Sequence, residues 1–154
     1  MSGNARAITA SLTTVPAGVL PKWLLLVGAV AALNGLQNLV NPSFSARVYA
    51  SATGRPQVTP LTARLFATWN LTSAMVRVYT AYHMHDQGCV VRRARLTGSA
   101  YLLCLGTFVI AAVHFISELL VFRTLGAATG SVSPILVASS SMVAMALQYR
   151  YYVG

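Results

Sequence analysis

Few residues of this chain could do chemistry, and their spacing says of what kind. His114 and Glu118 are four apart, so a helix would carry both on one face, a single turn from each other. A histidine and a carboxylate so placed could act as base and acid, and an ionisable residue inside an apolar run is a functional candidate by default. Asn34, Gln37 and Asn38 stand at i, i+3 and i+4, so their amides form one polar stripe of the sort that holds helices together in lipid. His83-Met84-His85 has a spacing found in metal sites. With three histidines in the whole chain and Asp86 beside the pair, it cannot complete a catalytic ligand set unaided, and a solvated interfacial loop is the simpler reading. Serine-nucleophile and dinucleotide fingerprints are absent and Lys22 is the one lysine, so neither a cofactor nor a metal is expected. Cys89 and Cys104 would lie about 22 Å apart along a helix axis, and no disulfide follows from them.

The elements that must position these residues are membrane helices. Of 154 residues, 56% are hydrophobic and 8% charged, against about a quarter charged in soluble proteins. The apolar mass is gathered into four runs, which predict an all-α polytopic membrane protein: a bundle of four transmembrane helices with short loops over residues 23–152, preceded by a flexible tail over 1–22. The spans are expected at about 23–40, 62–82, 96–122 and 132–148. The first is bounded by Pro21-Lys22 and Asn41-Pro42, and its eighteen residues rise about 27 Å, enough for a hydrocarbon core. The second opens after Pro60 and carries Arg64 and Arg77, each within two turns of an end, so that their stems can carry the charge to the headgroups. The fourth has Pro134 in its first turn, where a missing N–H is harmless. Phe44 to Ala50 reads as a short interfacial helix, residues 83–95 as a basic loop and 123–131 as a tight turn.

The net charge of +9 would suggest nucleic acid in a soluble protein. Here the basic residues flank apolar runs, where they anchor helices and set topology, so no nucleic-acid partner is expected. With four spans, Arg6, Lys22, Arg92, Arg93, Arg95 and Arg150 share one side and Arg47, Arg55 and Arg123 the other, which favours cytosolic termini. From Leu96 to Glu118 is about 33 Å of helix, so Glu118 lies near the non-cytosolic interface, where Arg64 of the second helix is the first candidate to pair with it. Gly28/Ala32, Ala31/Gly35 and Ala138-Ser139-Ser140-Ser141 offer small surfaces for close packing, within the bundle or against another chain, a second copy included.

Several of these motifs together resemble one family. The stretch from Val113-His114-Phe115 through Ser117-Glu118-Leu119 to Phe122 is similar to the His-Phe-x-Ser-Glu-Leu motif of the ergosterol biosynthetic protein 28 family, small four-span proteins of the endoplasmic reticulum. Ala63-Arg64-Leu65-Phe66-Ala67-Thr68-Trp69, continuing through Leu71, Ser73 and Arg77, resembles the second-helix pattern of that family. Leu36-Gln37, Tyr49, Gly54-Arg55-Pro56 and Ser133-Pro134-Ile135-Leu136-Val137-Ala138-Ser139 fall in matching order, and the resemblance covers roughly Trp23 to Tyr152. Members commonly carry a basic tail after the last helix, whereas this sequence ends in Tyr151-Tyr152-Val153-Gly154. The resemblance implies a non-catalytic scaffold of the endoplasmic-reticulum membrane. It would tether the sterol C-4 demethylation enzymes: the C-4 methyl oxidase, the C-3 dehydrogenase/decarboxylase and the 3-keto reductase. Arg64, Trp69, Arg77, His114, Ser117 and Glu118, with Asn34, Gln37 and Asn38, are then expected to hold the bundle or a partner. The rival is a small four-helix membrane enzyme, such as a sterol isomerase using Glu118 and His114. A channel or transporter would be expected to show midplane ionisable residues or broken helices, and neither is visible.

Overall fold

The computed structural model describes residues 16–84, 92–126 and 129–153. Among the described residues the chain is helical, with no strand. Four long helices, α1 (Val19–Val40), α3 (Pro60–His83), α4 (Arg92–Leu120) and α5 (Thr129–Tyr152), are joined by a short α2 (Ser43–Val48) and a 3-10 turn over Arg55–Gln57. Expectations for residues 1–15, for His85, Asp86 and Cys89, and for the side chains of Arg92, Arg93 and Arg95 lie outside what is described.

Local chemistry sets most of the boundaries. Thr59 opens α3 through a capping box, its hydroxyl accepting from the Thr62 amide at 3.2 Å while Thr62 Oγ1 accepts from the Thr59 amide at 2.8 Å. Pro60 takes the first helical position, where it has no bond to lose. α4 stops at Leu120, two residues before the apolar run does. There Arg123 adopts a left-handed φ of 54°, and the Thr124 amide turns back onto the Glu118 carbonyl at 2.9 Å. Pro134 lies inside α5 and not in its first turn, because the helix begins at Thr129.

α3 runs antiparallel to α1 along most of its length. Gly35 faces Ala67 and Leu71 at one end of the seam, and Gly28 faces Ala74 and Val78 further along. A Cβ on Gly35 would fall 2.8 Å from Leu71 Cγ, so the backbones approach as closely as they do only because the position has no side chain. The small residues of the first run therefore serve this bundle. α4 packs on α3 and on α5, whereas α1 and α5 meet sparsely, which leaves a seam between the first and last helices. Tyr101, Cys104 and Phe108 of α4 form the core with Leu20, Leu24, Ala81, Ala138 and Met145. The Tyr101 hydroxyl donates to the Met145 carbonyl at 2.6 Å, and Trp23 Nε1 donates to Ser141 Oγ at 2.9 Å.

Leu26, Val30 and Leu33 on α1, Leu102, Ile110 and Val113 on α4, and Leu136, Val143 and Leu147 on α5 point outward and are exposed. So wide an apolar surface suits lipid and not water. Three helices are long and apolar enough to cross a bilayer: Val19–Val40, Gly98–Leu120 and Val132–Tyr152. Among the described residues, length and hydropathy alone therefore mark three spans and not the expected four. α3 is long enough, but Arg64, Asn70, Ser73, Arg77 and its threonines lower its hydropathy.

Candidate functional site

At one end of the bundle, where α1 and α4 finish and α3 begins, the loop from Asn41 to Thr59 folds back over the helices. It is held by its own polar groups. Asn38, 1% exposed, donates to the Asn34 carbonyl at 2.8 Å and to the Asn34 side chain, while the Ser45 hydroxyl donates to Asn38 Oδ1. The amide stripe thus fastens α2 beneath α1 and joins no second long helix. Gln37 contributes its carbonyl to the Asn41 amide at 2.9 Å. Further along, Ser51 donates its hydroxyl to the Arg123 carbonyl at 2.9 Å and its amide to the Thr124 carbonyl at 3.4 Å. Gly54 lies so close that a Cβ there would be 2.2 Å from the Thr124 carbonyl oxygen.

This staple brings Tyr49 against α4. Its hydroxyl and His114 Nε2 share a 2.7 Å hydrogen bond, and its ring meets Phe66 edge-on at 5.8 Å. Trp69 stands edge-on to His114 at 5.0 Å and stacks on Phe115 at 6.3 Å. The Tyr49 phenol is pushed above its ordinary range, first by burial and then by the negative charge of Glu118, so it stays protonated. The carboxylate of Glu118 accepts from the Thr124 hydroxyl. Around these groups lies a pocket of about 370 Å³, walled mainly by Leu65, Phe66, Trp69 and Val58, with His114 and Glu118 on its α4 side. That size falls within the range of small-molecule sites, and an apolar wall with a few convergent polar groups is their usual make-up.

His114 and Glu118, a turn apart on α4, both line this pocket, and Trp69 of α3 lines it with them. Arg64 does not. It is exposed and forms no ion pair with Glu118, because Thr62, Leu65, Phe66 and Trp69 are the α3 residues that face the pocket. At 100° per residue Arg64 lies about 160° round the helix from Phe66, on the opposite side. Ser117 donates to the His114 carbonyl at 2.8 Å, a bond within its own helix. Arg77 departs from its expected place as well. It does not reach a headgroup but is buried between helices, its guanidinium 4.2 Å over the Phe108 ring, since it shares the inward face of α3 with Ser73, Ala74 and Ala81. His83 stacks on Tyr79 at 4.0 Å and donates from Nδ1 to the Tyr79 carbonyl at 2.7 Å. Among the described residues no three His, Cys, Asp or Glu side chains come close enough to share a metal ion. Reading the residues by chemical type passed over Thr124 and the role of Tyr49. The one signal for Thr124 is a hydroxyl six residues after Glu118, just beyond the end of the apolar run.

Residues 20–143 match the family profile described as Erg28 like protein. The chain is 39% identical to ergosterol biosynthetic protein 28 of Candida albicans over 137 residues, which is 89% of this chain and 90% of that protein. It is 34% identical to the Schizosaccharomyces pombe protein of the same name over 143 residues, 93% and 95% of the two chains. The human ergosterol biosynthetic protein 28 homolog is 34% identical over 135 residues, 86% of each. No solved structure matches.

Proposed function

The chain belongs to the Erg28-like family, and from that premise we propose that it is a non-catalytic scaffold of sterol biosynthesis. It would hold the C-4 methyl oxidase, the C-3 dehydrogenase/decarboxylase and the 3-keto reductase together in the endoplasmic-reticulum membrane. The names of the relatives state a biosynthetic role and no reaction. The observation that carries the reading is how little of α5 the bundle covers. In its most apolar window 17% of residues are buried, against 33% in α4 and 39% in α1. Leu136, Ser139, Ser140, Val143, Ala146 and Leu147 lie on its outer side, exposed and spaced at three and four residues. Small residues among aliphatic ones at that spacing make a surface on which another transmembrane helix can pack closely. Tethered enzymes would meet their next substrate at raised local concentration without any new chemistry.

Four spans follow from the same reading. If α1 crosses the bilayer, α3 lies at the same depth, because the two helices are antiparallel and in contact from Gly35 to Gly28. The polar residues that lower the hydropathy of α3 include Ser73, Arg77 and Thr80, which face protein and not lipid. Both termini would then share a side, and the six-to-three bias of basic residues supports the cytosol as that side.

One feature favours a second reading. His114 and Glu118 both line the 370 Å³ pocket, as a sterol isomerase would require. Purification from gently solubilised membranes separates the two. The scaffold should bring down the demethylation enzymes, and deleting it should make 4-methyl or 4-carboxy sterols accumulate while those enzymes remain present. An unchanged sterol profile, or intermediates isomeric at a ring double bond, would count against it.

A further inference from the structure

Arg77 is 7% exposed. Its Nε donates to Thr107 Oγ1 at 3.3 Å, and the Thr107 hydroxyl donates on to the Cys104 carbonyl at 2.7 Å. The two terminal amino groups donate to no described residue. Yet no buried side-chain nitrogen among the described residues lacks a partner, so these groups must open onto free space. That space is a second pocket, of about 200 Å³, where Asn34, Asn70 and Ser73 are the polar neighbours of Arg77 and the rest of the wall is largely apolar. Glu118, the one acid among the described residues, lines the other pocket. Val30 and Ser133 stand exposed at the rim, on α1 and α5, along the seam where those helices meet sparsely. The opening is therefore sideways, toward lipid.

A guanidinium among helices with no anion near it among the described residues is unfavourable until one arrives. Its two terminal amino groups match the two oxygens of a carboxylate. We infer that the Arg77 pocket binds the carboxylate of a lipid, with the head on Arg77 and the apolar body lying in the seam between α1 and α5. At about 200 Å³ the pocket is smaller than sites that enclose a whole drug-sized ligand, so it takes the head and leaves the body at the membrane face. One cation balances one charge, which favours a monocarboxylate over a phosphate monoester, whose charge near pH 7 approaches two. An acyl chain or a sterol ring system can carry such a head. The inference is independent of the tethering reading.

Titration of the full chain in lipid nanodiscs tests it, with stearic acid and a ring-carboxylated sterol as probes, each beside its methyl ester. For at least one body the acid should bind ten-fold or more tightly than the ester, and the body that does so identifies the source. Arg77→Gln should bring the acid down to the affinity of the ester, and Arg77→Lys should keep part of the difference. Val30→Trp, at the mouth on an exposed position, should weaken the acid without lowering thermal stability. Equal binding of acid and ester by the unaltered chain, for both bodies, overturns the proposal however Arg77→Gln folds. So does an Arg77→Gln chain that folds and still prefers the acid.

Discussion

Gly54→Ala should loosen the loop from the end of α4 while Gly106→Ala leaves the protein as stable as before or more so. At Gly54 an added Cβ would lie 2.2 Å from the Thr124 carbonyl oxygen and 2.9 Å from its carbon, both backbone atoms that no rotamer change can move aside. The loop must retreat by more than an ångström. The Ser51 amide, already 3.4 Å from the Thr124 carbonyl, then loses its bond, and the Ser51 hydroxyl bond to Arg123 is strained with it. Overpacking of this kind costs about 1–3 kcal/mol, and each lost hydrogen bond adds roughly 0.5–1.5 kcal/mol. A loss of about 2–4 kcal/mol is therefore expected, a large part of the roughly 5–15 kcal/mol that holds a typical domain. Gly106 has nothing within 4 Å of where a Cβ would stand, so alanine there should gain up to about 1 kcal/mol from helix propensity. Both variants would be followed by thermal unfolding in detergent, with size-exclusion recovery as a second measure. Equal midpoints for the two would refute the close approach of Gly54 to Thr124.

Tyr49→Phe keeps the ring contacts but removes the bond to His114, and should cost about 1–3 kcal/mol in the same unfolding assay. Glu118→Ala and Thr124→Ala should each destabilise, Glu118→Gln less than Glu118→Ala because an amide still accepts from Thr124. Arg64→Ala should stay within about 0.5 kcal/mol of the parent as an exposed, unpaired position. In microsomes, glycosylation acceptors placed in residues 50–58 should be modified and those placed in 85–91 should not, and the reverse pattern would invert the topology. The natural sequon Asn70-Leu71-Thr72 should stay unmodified, since Asn70 is helical and its Nδ2 donates to the Phe66 carbonyl at 2.8 Å.

Long apolar runs and their punctuation were enough to locate the four long helices, because Thr59-Pro60 and Asn41-Pro42 act locally. What followed α4 was less legible. Val121 and Phe122 are as apolar as the helix before them, and only the left-handed Arg123 and the return of the Thr124 amide to Glu118 end it at Leu120. Such a stop depends on the loop that receives the chain, where Ser51 lies 72 residues before Arg123 in sequence, and no pattern within α4 encodes it. Likewise Gly28 and Gly35 are visible as small residues. That their partners are Ala67, Leu71, Ala74 and Val78, and not another protein, is a fact of register between two helices.

The arginines show where sequence reasoning reaches its limit. Position along a helix gives depth, and from depth alone Arg64 could meet Glu118 and Arg77 could reach a headgroup. Orientation is set instead by which face of α3 its neighbours claim. Ala63, Ala67, Ala74 and Ala81 press α3 against the bundle, and this turns Arg77 inward onto Phe108 and Arg64 outward. Each alanine is unremarkable by type, but together they recur at four- and seven-residue spacing, the small-residue form of a helix seam. The same rotation frees Glu118 from an ion pair and leaves it to Thr124, so the acid at this end serves the loop closure while the cation at mid-bundle is left without an acid among the described residues. Glu118 thus lines an aromatic pocket beside the loop, and Arg77 lines a separate one between the helices.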